Sequence, residues 1–348
     1  MRTRRESAAG ALRLQDVAER AGVSIATASR SLAGRDGVSE SVAERVRGVA
    51  REMGYVANVH ARSLAGGSAT SVGLLVHEIG DPYFAEIATG VMRVAAREGL
   101  TVQVCHTGRV PEQELAQLRT LIANRVGGIV IAGSGFVDPA MQAEARRDLD
   151  LYRAGGGRVA VIGRHHLGAD AVLPDNVGAG RSIVRHVLDL GHRELAFVAG
   201  SRALTTVADR LAGAAEALAE HGLDLDRLPV LEAEFTRAGG KEAARRVLAE
   251  HPRTTAVVAL NDDMAIGVLS VLRAEGIAVP RDMSVVGFDD IDVAEDLSPS
   301  LTTVRLPMVA LGEMALSLAL KPSATRPRRR TTEHELVVRD STAEPRSS

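Results

Sequence analysis

The stretch Leu14-Gln15-Asp16-Val17-Ala18-Glu19-Arg20-Ala21-Gly22-Val23-Ser24-Ile25-Ala26-Thr27-Ala28-Ser29-Arg30 decides how the rest of this 348-residue chain is read. Leu14, Val17, Ala18 and Ala21 recur at i, i+3, i+4 and i+7, which lays them along one face of a helix. Gly22 suits the left-handed position that ends a helix, and Ser24 is a good N-cap for a second helix to about Leu32. Two short helices joined by a tight glycine turn predict a helix-turn-helix. Gly34, Asp36 and Gly37 predict a loop. Ser39 can cap a third helix with the apolar face Val42, Val46, Val49, Ala50 and Met53, closed by Gly54. Three short helices make only a marginal core. On spacing alone the unit is either a DNA-reading head or a plain helical bundle. The second helix has the chemistry for the first role. It opens with Ile25, Ala26 and Thr27, compact enough to enter a major groove; Arg30 can pair bidentately with guanine, and the Thr27 and Ser29 hydroxyls suit phosphate oxygens.

Outside this stretch, charge is unevenly divided. Residues 1–69 carry 11 Arg against 7 acidic residues, a net +4, which leaves −6 on residues 70–348. A small basic head on an acidic body is compatible with nucleic-acid binding. Of the 42 basic residues only Lys241 and Lys321 are lysine, a skew typical of a GC-rich genome. Cys105 is the only cysteine, which excludes an internal disulfide framework and a cysteine-rich zinc site. Aromatic residues are 2% of the chain and Trp is absent, so stacking platforms are few. No apolar run approaches a membrane span, and the polar start Met1-Arg2-Thr3-Arg4-Arg5 has no secretory h-region. A soluble cytoplasmic protein is expected, with no membrane partner, metal or cofactor. Residues 1–12 are expected to be a disordered arm.

Residues 58–64 read as a short helix, too short to be stable alone in water, followed by the flexible joint Ala65-Gly66-Gly67-Ser68. Beyond it, short apolar runs alternate with helical stretches. Strands are expected at 72–76, 101–105, 128–131 and 158–162, then at 194–198, 228–232, 255–260 and 283–288. Helices are expected at 83–98, 112–124, 208–221, 238–250 and 262–275. The alternation predicts two blocks of parallel sheet covered by helices on both faces, hence two lobes. Ligands bind beyond the carboxyl ends of such strands, so a cleft between the lobes is the natural site. Polar residues fall at those ends: Asp81, Arg164, Asp175-Asn176, Arg210, Asn261-Asp262 and Asp289-Asp290. A rim of Asp, Asn and Arg suits a polyhydroxylated ligand, since each group can bridge neighbouring hydroxyls. Taken singly, each is as readily a helix cap or a turn residue.

The stretch 14–30, together with Gly37-Val38-Ser39 and Met53-Gly54-Tyr55-Val56-Ala57-Asn58, closely resembles the head of the lac repressor-type (LacI/GalR) family of bacterial transcription regulators. The resemblance runs on through Gly73-Leu74-Leu75-Val76, Pro82-Tyr83-Phe84, Asp175-Asn176 and Leu190-Gly191-His192-Arg193. It continues in Asp209-Arg210-Leu211-Ala212-Gly213, Asn261-Asp262-Asp263-Met264-Ala265-Ile266-Gly267, Val286-Gly287-Phe288-Asp289-Asp290 and Leu301-Thr302-Thr303-Val304. It covers about residues 12–340. It implies a helix-turn-helix head at 13–57, a hinge helix and linker at 58–69, an α/β two-lobed periplasmic-binding-protein-like effector domain at 70–340 and a tail at 341–348.

By the same resemblance, Ile25, Ala26 and Arg30 would read bases, Thr27 and Ser29 would contact phosphate, and Tyr55 and Asn58 would support backbone contacts. Leu64 would wedge into the minor groove beside its symmetry mate and kink the duplex. Arg210, Asn261 and Asp289 would contact the effector first, then Thr206, Arg164, Asp175 and Phe84, with Phe235 as an aromatic lid. His192 reads as structural. The implied partners are double-stranded operator DNA, a small effector and a second copy of the chain. The effector would be a sugar or its derivative, with a purine or nucleoside corepressor as the alternative. There are departures. Ala28 stands where the family usually has Val, and Asp81 and Tyr83 replace the usual Asn and Phe around Pro82.

The Arg-rich run 321–330 is expected to be a solvated loop before a strand at 335–338. No heptad pattern closes the chain, so a dimer is expected rather than a tetramer. An enzyme is the competing class. Ser201 lies in Gly200-Ser201-Arg202, which is not a nucleophile elbow, and no phosphate-binding glycine fingerprint appears. A solute-binding protein would share the body but carry an export signal and no head.

Overall fold

The computed structural model describes residues 12–34, 36–55, 70–322 and 324–346, and the chain divides into two compact units, Met1–Thr70 and Ser71–Ser348. In the first unit, α1 (Leu14–Ala21), α2 (Ile25–Ala33) and α3 (Glu40–Glu52) form a three-helix head. Gly22 and Gly34 close α1 and α2 in the left-handed conformation. Ser24 caps α2 by accepting from the Thr27 N–H at 3.1 Å. Ser39 takes the N-cap position of α3, but its side chain makes no capping bond; its hydroxyl lies 3.3 Å from that of Ser41. The buried centre is Val17, Ala18, Ala21, Ala28, Val46 and Ala50. The hinge expected at 58–64, with Asn58 and Leu64, lies outside the described residues.

The second unit begins with β1 (Ser71–Val76), α4 (Pro82–Arg97), β2 (Thr101–His106), α5 (Pro111–Ala123), β3 (Gly128–Ala132), α6 (Ala143–Ala154), β4 (Arg158–Ile162) and β5 (Asp170–Pro174). It continues with α7 (Asn176–Asp189), β6 (Leu195–Ala199), α8 (Thr205–Glu220), β7 (Val230–Glu232), α9 (Arg237–Glu250), β8 (Ala256–Ala259), α10 (Asp262–Ala274) and β9 (Ser284–Val286). The last elements are α11 (Val293–Asp296), β10 (Thr303–Arg305), α12 (Met308–Ala319), β11 (Arg329–Thr332) and β12 (Glu335–Val337).

The strands form a six-stranded parallel sheet, β2-β1-β3-β4-β5-β11, and a four-stranded parallel sheet, β7-β6-β8-β9. The central strands of each are buried on both faces, with the period of two that a pleated strand imposes. In β1, Val72, Leu74 and Val76 face the helices α4 and α12, while Leu75 joins the layer of Leu118, Leu121 and Leu149. In β6, Leu195, Phe197 and Ala199 face α7 and α8, while Ala196 and Val198 face α9 and α10.

Two sequential blocks were expected, and here the topology differs. After β10 the chain returns to the first lobe, where α12 packs on α4 and across β3, β4 and β5. β11 then pairs with β5, and β12 goes back to pair antiparallel with β10 in the second lobe. Three crossings, after β5, β10 and β11, therefore join the lobes. β5 has only three consecutive apolar residues, Ala171–Leu173, between Asp170 and Pro174, and β11 has none and lies at the sheet edge; neither was expected. The Arg-rich run is accordingly corrected: Arg329 and Arg330 lie in the edge strand β11, where charge discourages pairing with another sheet.

The tail boundary at 341 is corrected as well. Ser341 is fully buried, accepts from the Thr302 N–H at 2.8 Å and donates to the Val285 carbonyl at 2.6 Å. His192 accordingly has a structural place, with Nε2 2.8 Å from the Ala343 carbonyl and Nδ1 2.9 Å from the Thr255 hydroxyl.

Three helix pairs, α4–α12, α7–α8 and α9–α10, carry the densest packing of the body, and each is built on a pair of glycines. A Cβ on Gly90 would lie 2.0 Å from the Val309 carbonyl, and one on Gly312 2.1 Å from the Ile87 carbonyl. Gly180 and Gly213 stand in the same relation to Arg210 and Val177, as do Gly240 and Gly267 to Met264 and Arg237. A mid-helix glycine costs about 1 kcal/mol against alanine; here it lets two backbones touch. Among the described residues no helix is long and apolar enough to cross a membrane.

Candidate functional site

In the head, Ile25 and Ala26 stand exposed at the start of α2, Ile25 at 51% of its full accessibility. Thr27 is half-buried and shares a hydrogen bond with the Ser24 hydroxyl at 2.9 Å. Arg30 is exposed, its Nε 3.3 Å from the Ala26 carbonyl. Ser29 is half-buried on the same helix, and Tyr55 packs against the head core. Ala28 is fully buried beneath this face.

In the body, loops after the carboxyl ends of both sheets converge on one narrow cleft. Its walls include His77, Asp81, Tyr83, Phe84, Arg109 and Ser134 from the first lobe. Thr206, Arg210, Phe235, Asn261 and Asp289 come from the second. Arg210, in the second turn of α8, is buried and anchored on four sides. Its Nε donates to Asn176 Oδ1 at 3.0 Å, one terminal nitrogen donates to the Leu260 carbonyl and the other to Asp289 Oδ1 at 2.8 Å. Its guanidinium lies 3.6 Å from the centre of the Phe288 ring.

Asp289 and Asp290 both have positive φ, 111° and 58°, a strained turn that aims the Asp289 carboxylate inward. Burial pushes the Asp289 carboxyl up to about 7, against the pull of Arg210. The turn is held by Asp262, which accepts from the Ile291 N–H at 2.9 Å and the Thr303 hydroxyl at 2.6 Å. Asn261 caps α10 by accepting from the Met264 N–H at 2.8 Å. Asp290 turns away from the cleft, where Arg305 and Arg339 each donate to it at 2.7 Å.

The first lobe supplies residues that strand-end reasoning did not single out. His77 follows β1, Arg109 follows β2 and Ser134 follows β3, so the rule that ligands gather at carboxyl ends was the available signal. His77 Nδ1 lies 2.9 Å from the Thr107 hydroxyl and Nε2 3.0 Å from the Ser134 carbonyl. Burial, with a further push from Arg109, holds its imidazole neutral, down to about 3. Arg109 bridges the lobes: its guanidinium lies 5.9 Å from the Phe84 ring centre and 5.0 Å from that of Phe235, and 3.5 Å from the Asp81 carboxylate. Thr206 donates its N–H to Ser134 Oγ at 2.9 Å, a hydrogen bond between the lobes.

Six of the eight expected effector contacts thus meet in one place: Phe84, Thr206, Arg210, Phe235, Asn261 and Asp289. Arg164 and Asp175 do not line this cleft. Arg164 is tied to Asp209 with contacts of 2.6–3.3 Å. Asp175 caps α7 through the Gly178 N–H and holds His334 at 2.9 Å. Both line a separate surface depression beside β5, because the strand-end rule cannot say to which side a loop turns.

Residues 13–58 match the model of the bacterial regulatory proteins of the lacI family, and residues 184–342 that of the periplasmic binding protein-like domain. The HTH-type transcriptional repressor PurR of Vibrio cholerae is 32% identical over 308 residues, 88% of this chain and 90% of that protein. The HTH-type transcriptional regulator DegA of Bacillus subtilis is 31% identical over 337 residues, 95% of this chain and 98% of that one. Among solved structures, the transcriptional regulator CelR–cellobiose complex aligns with a TM-score of 0.69 and 31% identity, over 95% of this chain and 99% of that one. A reading head matched to one model, a two-lobed body matched to the other, and relatives that match both in one chain leave a single assignment: the chain belongs to the LacI family and is a DNA-binding transcription regulator, not an enzyme.

Proposed function

We propose that the chain is a dimeric repressor whose operator binding is released by a neutral polyhydroxylated effector, a sugar or its derivative, held between the two lobes. The observation that carries this reading is the cluster of Arg210, Asn261 and Asp289, buried in a cleft that Phe84 and Phe235 also line. Planar carboxylate, amide and guanidinium groups bridge vicinal hydroxyls, and ring faces pack on the apolar side of a sugar. The charges are paired, Arg210 with Asp289 and Arg109 with Asp81, so the cleft offers no uncompensated cation to an anionic ligand. The structure of the CelR–cellobiose complex points to the same ligand class.

The cleft leaves only about 50 Å³ of free space, room for a few waters. A sugar therefore enters only if the Arg109–Phe235 stack opens. Opening and re-closing around the ligand shifts the lobes, and operator binding must weaken effector affinity by the same factor. On the DNA, Ile25, Ala26 and Arg30 read bases; Thr27 and Ser29 take phosphates, with Tyr55 and Asn58 in support; Leu64 wedges the minor groove.

The test is a gel shift of the full chain on its own upstream region, with a panel of mono- and disaccharides beside purine bases and nucleosides. Release by one sugar is expected, and Arg210→Ala should lose that release while still shifting the DNA. Tightening by a purine or nucleoside would replace this reading with the corepressor one.

A further inference from the structure

We infer that the first lobe carries a second DNA-contacting surface, a basic depression that engages the phosphates of duplex flanking the operator. The inference rests on the DNA-binding reading of the head and goes beyond it. On a body of net charge −6, a group of positive charges sits at the amino ends of β4, β5 and β11. The end of α6 supplies Arg153, the start of β4 Arg158, the end of α12 Lys321, and the entry to β11 Arg328. They surround a depression of about 370 Å³. Arg146 adds a further guanidinium beside Gly168, within 3.8 Å of where its Cβ would lie. Arg326 stands exposed between lining residues Thr325 and Pro327.

Among the described residues only two carboxylates answer these six cations: Asp150 on Arg153 and Asp170 on Arg328. Much of the remaining donor capacity goes to backbone. Arg158 donates to the Leu320 carbonyl, Arg153 to the Gly168 carbonyl and Arg146 to the His166 carbonyl. These bonds hold the guanidiniums in place without cancelling their charge. Among the described residues, neither Lys321 nor Arg326 has an ion-pair partner. A fixed cluster of positive charge is the footprint of a polyanion.

Topology selects the polyanion. The effector cleft lies beyond the carboxyl ends of the strands; this depression lies at the opposite end of the same sheet. There β1 starts, with Val72 in register with Gly128 and Gly128 with Arg158. The chain therefore arrives from the DNA-reading unit at this end. Residues 56–69 can span at most about 50 Å, the length of roughly 15 base pairs. Duplex DNA lying just outside the core operator is the polyanion within that reach.

The test uses the full chain and an operator recovered by in vitro selection. It compares the minimal duplex with one extended by about 15 arbitrary base pairs on each side. Wild type should bind the extended duplex more tightly, with a steeper salt dependence. The double variant Lys321→Glu/Arg326→Glu, at two exposed sites outside the fold's ion pairs, should lose at least about tenfold on the extended duplex. Its slope of log affinity against log salt should be shallower by about 0.9 for each phosphate it no longer neutralises. Its affinity for the minimal duplex should stay unchanged, and Lys321→Gln/Arg326→Gln should show a smaller loss of the same kind. Equal wild-type affinity for both duplexes overturns the inference, as does an equal loss on both. Failure of wild type on either duplex would overturn the DNA-binding reading as well.

Discussion

Gly48 and Gly312 sit at comparable places, each inside a helix, one in the head and one in the body. A Cβ added to Gly48 meets nothing within 4 Å, whereas one added to Gly312 would strike the backbone of Ile87. The same residue type is therefore an unused weakness in one unit and a packing requirement in the other. The two cores differ in the same way. Four of the six buried residues at the centre of the head are alanines, which bury little apolar area each. The body interlocks three helix pairs at backbone contact and fills both faces of two sheets with Val, Leu, Ile and Phe. The head is a small unit with a small apolar core. The body has the packing to hold two lobes in register.

The comparison can be broken at its strongest point by Gly312→Ala. Helix propensity predicts a gain of about 1 kcal/mol; backbone collision predicts a loss of about 1–3 kcal/mol. We expect the loss, read in the body's calorimetric transition, and a gain would mean that α4 and α12 separate at little cost.

Next in size is a proton effect confined to the body, since residues 12–55 hold no histidine. His77 is neutral in the folded state down to about 3, while its unfolded counterpart titrates near 6.5. Its contribution is present above pH 6.5 and is lost as pH falls toward 3. Raised carboxyls such as Asp289 act in the opposite sense, losing stability as pH rises through about 7, so the histidine must be isolated by difference. Between pH 6.5 and 5.5 the stability of wild type relative to His77→Gln should fall by about 1 kcal/mol. A gap that stays flat with pH would show that His77 is protonated in the fold.

The smallest effect sharpens the contrast from the other side. Gly48→Ala should stabilise the head by about 0.8–1 kcal/mol, seen as slower exchange of the α3 amides. Unchanged or faster exchange would mean that α3 has a close neighbour at Gly48 after all.

Much of the fold was legible because periodicity survives in strongly buried elements. The first four strands fall within a residue of the expected ends, as do the caps at Ser24 and the turn at Gly22. β5 and β11 were illegible, because Asp170–Pro174 holds only three consecutive apolar residues and Arg329–Thr332 is an edge strand of arginines and threonines. Neither shows alternation between apolar and polar residues. In the cleft, Arg210, Asn261 and Asp289 were readable as strand-end polar residues. Arg109 was not, because its role depends on two phenylalanines from opposite lobes closing on it. Arg164 and Asp175 carried the same sequence signal as the cleft residues, yet their neighbours Asp209 and His334 claim them.

The sequence by itself determined the local elements and the family, since helix faces, caps and glycine turns are written in spacings of three, four and two residues. Tertiary structure alone decided which loops meet. Three crossings between lobes bring residues more than a hundred positions apart, such as Arg109 and Phe235, into one cleft. The strained turn at Asp289 is fixed by Asp262 and Thr303, not by its own sequence. Spacing along the chain encodes what a segment buries; it does not encode which distant segment will cover it, and the site is made where that second choice is settled.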